Sequence, residues 1–219
     1  MALIPHRFLL RMAYPCRYLK NIPSEDGHRL LDLPEACRIH NFAALDGQRN
    51  FADVRMAWNE LGLAFQAEIR GKEQLPQADA SRPRGSDGVT LWIDTRDARN
   101  SHRASRYCHQ FHALPTGGGP ERDEPNWSQT KINRALQDAP LADAGAVPFQ
   151  CQRTRGGYGV EFFLPAAVLN GFDPEQNPRL GFYYAVRDAE LGEQVLSVGS
   201  EFPYWEDPSL WSVLELVRT

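Results

Sequence analysis

The 219-residue sequence has no C-x-x-C pair, no long apolar run, no surplus of positive charge and no internal repeat. Each absence removes a class of protein. The four cysteines, Cys16, Cys37, Cys108 and Cys151, are scattered, without the paired spacing of zinc ribbons or thioredoxin-type redox sites. No stretch approaches the roughly 18 apolar residues that read as a membrane helix. The apolar run near the start is short, is interrupted by His6, Arg7 and Arg11, and lacks a small-residue cleavage site. It does not read as a signal peptide, so the expected compartment is the cytoplasm, although the mature part of an exported protein reads the same way. A formal charge of −4 gives no long-range pull toward nucleic acid or an anionic membrane, and neither partner is expected. The G-x-S-x-G elbow, H-E-x-x-H, the Walker sequence and the dinucleotide fingerprint are also missing, which makes an enzyme the lesser reading.

What is present points to strands. Hydrophobic content of 42% supplies a core, and 16 Pro with 17 Gly punctuate it often, the composition of an all-β chain, here read as one domain over 1–219. Val54, Met56 and Trp58 alternate along one segment and Leu63, Phe65, Ala67 and Ile69 along the next, with Asn59, Glu60 and Gly62 between them, so 51–71 reads as a hairpin. A second hairpin joins 147–153 to 158–164 through Arg155, Gly156 and Gly157. Further strands are expected at 8–14, 36–42, 179–188, 195–198 and 211–217. The polar stretch 120–141 reads as a long insertion carrying a short helix over 130–137, and 165–169 as a single helical turn. The fold class is therefore an antiparallel β-sandwich, two packed sheets with long loops and one or two short helices.

The densest chemistry lies in 86–119. Val89, Leu91 and Ile93 alternate with Thr90, Trp92 and Asp94 in one strand; a returning strand is expected over 104–114, ended by Pro115 and the three glycines after Thr116. The connection between them holds Arg96, Asp97, Arg99, Asn100, His102 and Arg103, more polar chemistry than a turn requires.

The order of the motifs A-x-V-x-x-A-W, S-D-G-V-T-L-W-I-D-T-R, G-Y-G-V-E-F-F-L-P-A-A-V-L, L-G-F-Y-Y-A-V-R-D and W-S-V-L-E-L across 51–217 resembles the family 9 carbohydrate-binding modules and their DOMON-like relatives. The resemblance implies a β-sandwich that binds sugar through aromatic rings and neighbouring polar groups, and often a structural calcium ion. The segment 102–119 departs from that pattern.

Trp92, Phe163 and Tyr183 each face away from the aliphatic set of their strand, and with Asp94, Arg96, Glu161 and Arg187 they form the candidate ligand site. Aromatic faces stack on sugar C–H groups, while carboxylates and guanidiniums bond hydroxyls. Two readings stay open: an exposed platform, or a second core layer covered by loops or the N-terminal segment. Asp87, Asp94, Asp97, Asp188, Glu190 and Glu193 could supply oxygen ligands to calcium, without EF-hand spacing. His102, Cys108, His109 and His112 are the only His/Cys cluster, and His102, His109 and Asp94 the weak metal candidates; strand parity sends Cys108 and His112 to one face and His109 to the other. The loop 201–207, with Tyr204 and Trp205, reads as a cap over the sheet edge before it reads as a ligand rim. Glu161 with Glu215, or Asp94 with Asp188, are the conceivable carboxylate pairs for glycoside cleavage. The function expected is non-catalytic binding of carbohydrate or another small polar ligand. The alternatives are a protein-interaction domain that has lost sugar binding and, below it, a metal-dependent enzyme.

Overall fold

A computed structural model describes residues 12–24 and 29–218. Eleven strands follow one another: β1 Ala13–Tyr18, β2 Ala52–Asn59, β3 Gly62–Arg70, β4 Gly88–Asp94, β5 Cys108–Gly118, β6 Glu124–Thr130, β7 Phe149–Thr154, β8 Gly157–Pro165, β9 Arg179–Asp188, β10 Gly192–Val195 and β11 Ser212–Val217. They form one sheet in the order β6-β5-β4-β9-β11-β1-β2-β3-β8-β7, with β10 paired to β9 off this path. The sheet curls until β5 meets β8 and β6 meets β7, giving the two packed layers of a sandwich that is nearly a closed barrel.

Strand alternation builds the interior. Leu91 and Ile93 on β4, Phe111 on β5, Phe162 on β8 and Tyr184 on β9 all enter one buried cluster, where Phe65 and Phe162 sit opposite each other with rings stacked at 4.9 Å. Full burial of each such side chain is worth roughly 1.5–3 kcal/mol. The β3–β8 ladder is closed at both ends by glycine. A Cβ at Gly62 or Gly157 would fall 2.0 and 1.9 Å from the carbonyl oxygens of Leu164 and Ile69, so no other residue permits the strands to approach as they do.

A smaller apolar cluster lies outside this layer. Ile22, Leu31, Leu33 and Cys37 pack over Ala57, Ala64 and Phe163 on the outer face of β2, β3 and β8. Polar latches hold the segment down: Glu161 Oε2 accepts from the Leu31 amide at 2.9 Å, Gln66 Oε1 from the Leu33 amide at 3.0 Å, and Asn59 Nδ2 donates to the Ile22 carbonyl at 2.6 Å.

Several expectations change. β1 runs parallel to both β11 and β2, so the sandwich is antiparallel except at this strand, because the chain crosses the outer face between β1 and β2. The strand expected over 8–14 lies mostly outside the described residues, and its last two positions open β1. Over 36–42 there is a 3-10 turn, Glu35–Cys37, followed by a single bridge between Arg38 and Arg55. The returning strand begins at Cys108 and continues through Pro115 and Gly117 to Gly118, with its register shifted past Leu114. Part of the expected insertion is β6, an edge strand paired to β5. No helix forms over 130–137: Arg134 takes a φ of 57°, and the Leu136 amide bonds the Ala104 carbonyl at 2.7 Å in place of a helical partner. The turn after β8 is present as Ala166–Val168.

Candidate functional site

The outer face of β6, β5, β4 and β9 carries the polar half of each alternation. In register, Thr130 faces Gln110, Gln110 faces Trp92, and Trp92 faces Tyr183; in the next row Ser128, His112, Thr90 and Ala185 line up. The first row is wired together. The Trp92 indole N–H donates to Gln110 Oε1 at 2.7 Å, and since the indole can only donate, this fixes which end of the Gln110 amide is oxygen. Gln110 Nε2 therefore donates, to Thr130 Oγ1 at 2.6 Å and to His112 Nε2 at 3.1 Å. His112 must accept at Nε2 and carry its proton on Nδ1, which lies 3.0 Å from Thr90 Oγ1. Burial pushes the His112 pKa down to about 3, with the positive charge of Arg84 adding to the effect. The floor is thus a neutral, paired network.

Aromatic rings close over one end of it. Tyr204 stacks on Tyr183 at 4.6 Å and meets Trp92 edge-on at 5.5 Å; Trp205 sits edge-on to Tyr204 at 5.4 Å. The loop is anchored by the Trp211 indole, which donates to the Tyr204 carbonyl at 2.8 Å, and by the Tyr183 hydroxyl, which donates to the Val198 carbonyl. Trp92 and Tyr183 are consequently 1% and 0% exposed. The second-layer reading holds for them, and Trp205, partly exposed, is the ring that reaches solvent.

Two clefts open on this face. One, of about 280 Å³, is bounded by Arg84, Thr90, Trp92, Arg187, Glu193 and Trp205. The other, of about 690 Å³, lies over Gln110, His112 and Thr130 and is bounded by Arg82, Lys131 and Arg134. The segment 83–85 is a wall of both. Burial raises the Tyr204 hydroxyl pKa, Glu193 raises it further through its charge and a 3.3 Å hydrogen bond, and Arg84 and Arg187 oppose them.

Of the residues expected at a ligand site, the fold brings Trp92, Tyr183 and Arg187 together here. Asp94 lies at the end of β4 and accepts from the amides of Arg96 and Ala98 at 3.0 and 2.7 Å; burial raises its pKa in spite of those bonds. It shapes the turn. Arg96 is exposed and lies over the Tyr107 ring, 4.9 Å from its centroid. Glu161 and Phe163 belong to β8, separated from β9 by β11, β1, β2 and β3, under the 29–37 segment. The single patch is corrected accordingly: alternation tells which side of a strand a residue takes, but a curled sheet has more than one outer surface. Arg84, Gln110 and Thr130 were not singled out from the sequence; Gln110 and His112 carry a usable signal, two polar residues at period two on a strand pairing with β4.

The metal candidates are dispersed. His102 is exposed and bonded to Asp207 and Ser209, both at 3.0 Å, whereas His109 is buried on the inner face, stacked on Phe111. Among the described residues no three His, Cys, Asp or Glu side chains are grouped to hold a metal ion. The acidic residues proposed for calcium do converge in part, but on an ammonium group: Lys72 Nζ lies 2.7 Å from both Asp188 oxygens, 3.4 Å from Asp87 and 3.6 Å from Glu190. A cation already occupies their centre, so these residues do not fit calcium.

Neither a protein-family model nor a curated protein sequence matches the chain. Solved structures do. A family 9 carbohydrate-binding module from Caldicellulosiruptor kristjanssonii, in complex with cellotriose, superposes with a TM-score of 0.61 at 14% identity over 95% of each chain. A family 9 module from the same organism in complex with glucose gives 0.51 at 16% identity over 77% of each chain. At these identities what is shared is the fold, which is that of the family 9 modules.

Proposed function

We propose that the protein is a non-catalytic carbohydrate-binding domain whose site is the cleft over β4 and β9. The observation that carries this reading is the meeting of a partly exposed indole, Trp205, with Arg84, Arg187, Glu193 and Thr90 around one concave surface. A sugar ring can lay its C–H face on the indole and bond its hydroxyls to the charged groups. The fold adds weight, since the similar structures hold cellotriose and glucose.

The absence of a paired carboxylate in this cleft favours binding over cleavage. Glu193 is the one carboxylate among its lining residues, and glycoside hydrolysis ordinarily uses two. Of the pairs considered, Asp188 is engaged by Lys72, Asp94 by backbone amides, Glu161 by the Leu31 amide, and Glu215 lies 3.7 Å from Arg179.

The test is thermal unfolding with a panel of neutral and acidic mono- and oligosaccharides, because a ligand selective for the native state raises its stability by mass action. We expect a dose-dependent rise in Tm that disappears in a folded Trp205→Ala variant. No rise with any sugar at millimolar concentration overturns the reading and makes a protein partner the better one.

A further inference from the structure

We propose that the ligand is an anionic saccharide, a chain bearing uronate carboxylates that lies across both clefts. The proposal rests on the sugar-binding reading and names its substrate class. The chain as a whole is acidic, at −4, yet the residues lining the two clefts include Arg82, Arg84, Lys131, Arg134 and Arg187 against only Asp138 and Glu193. An acidic protein has gathered cations on one concave surface.

Pairing sharpens the contrast. Lys131 is held by Asp138 at 2.6 Å and Arg134 by Glu206 at 3.6 Å. The side chains of Arg82, Arg84 and Arg187 have no ion-pair or hydrogen-bond partner among the described residues, unlike Arg38, Arg55 and Arg99, which all meet carboxylates. A guanidinium is a planar fork of donors matched to a carboxylate, and three unengaged forks beside an aromatic wall suit a sugar acid better than a neutral sugar. Arg84 is central, because it belongs to the wall shared by both clefts, and its field reaches His112 in one and Tyr204 in the other.

The floor agrees with this charge pattern. Thr90, Gln110, His112 and Thr130 satisfy one another and present no negative charge, and of the two carboxylates that line the clefts Asp138 is paired with Lys131 and Glu193 accepts from the Tyr204 hydroxyl opposite Arg187. The larger cleft, about 690 Å³, falls within the roughly 300–1,000 Å³ of small-molecule sites, and its continuation past 83–85 gives room for more than one ring.

Calorimetric titration with trigalacturonate, cellotriose and a short polyglutamate, at low and at 0.2 M sodium chloride, tests the assignment. We expect trigalacturonate to bind at least tenfold more tightly than cellotriose at low salt. The advantage should shrink with salt and vanish in Arg84→Gln and Arg187→Gln variants whose circular dichroism and Tm match the parent. Equal affinity for the two trisaccharides overturns the anionic class and leaves the sugar site standing. Polyglutamate binding as tightly as trigalacturonate shows a generic anion surface and overturns it as well. If neither trisaccharide binds, the anionic assignment falls, and the sugar-binding reading stands or falls with the wider panel of sugars.

Discussion

The indole N–H of Trp92 determines more than its own packing. It orients the Gln110 amide, which fixes the tautomer of His112, which in turn donates to Thr90. Trp92→Phe keeps a ring against Tyr183 and Tyr204 but leaves Gln110 Oε1 buried without its donor, a loss of about 1–3 kcal/mol. Trp92→Ala adds a cavity, at about 3–5 kcal/mol. Urea denaturation should rank the two in that order, with Trp205→Ala nearer the parent because that ring is partly exposed. A Trp92→Phe protein as stable as the parent would show that the chain of bonds does not control this face. The side of β4 that Trp92 takes was legible in its strand. Its burial was not, since the ring that covers it, Tyr204, comes from a loop far along the sequence, and nothing local to either residue records their meeting.

At the level of elements, the two hairpins and β9 were readable because alternation and turn residues agree there. β6 was hidden by its polar composition: as an edge strand it buries little, and only its pairing with β5 defines it. The parallel setting of β1 likewise depends on partners that no local pattern names. The loops around Lys72 illustrate the same point chemically. Its ammonium draws together Asp87 before β4, Asp188 at the end of β9 and Glu190 beyond it, and Glu190 also accepts from the amides of Glu73 and Gln74 at 2.9 and 3.0 Å. Burial lowers the lysine pKa, but the hydrogen bonds and charges of Asp188 and Asp87 outweigh it and leave the group above its ordinary value. Lys72→Met strands two buried carboxylates, and removing one partner of a buried pair costs about 3–5 kcal/mol. Calcium chloride or EDTA should leave the Tm of the parent protein unchanged; a calcium-dependent rise would contradict the placement of Lys72 as the resident cation.

Over the whole molecule, the sandwich has two outer surfaces finished in different ways. The 29–37 segment and its latches, Glu161 and Gln66, cover the one over β3 and β8; the 196–211 loop covers only part of the one over β4 and β9 and leaves the clefts beside it. Both sides of the layer bearing those clefts depend on a neutral histidine, His109 inside and His112 outside. Burial lowers the pKa of His109 to about 4 and that of His112 to about 3. Each is depressed below the ordinary value near 6.5, so its contribution to stability is complete above that pH and is lost as the pH falls toward the folded-state value, at about 1.4 kcal/mol per pH unit. Asp94 and Glu161 act in the opposite sense, because burial raises both, but they matter mainly in the carboxylate range below. The stability measured by denaturant should therefore fall by a few kcal/mol between pH 7 and pH 5, before most carboxylates titrate, and His112→Asn, although less stable at pH 7, should fall less steeply. A stability that stays flat from pH 7 to pH 5 would mean that the two imidazoles accept protons without disturbing the sheet, and that the neutral floor inferred for the cleft does not persist in solution.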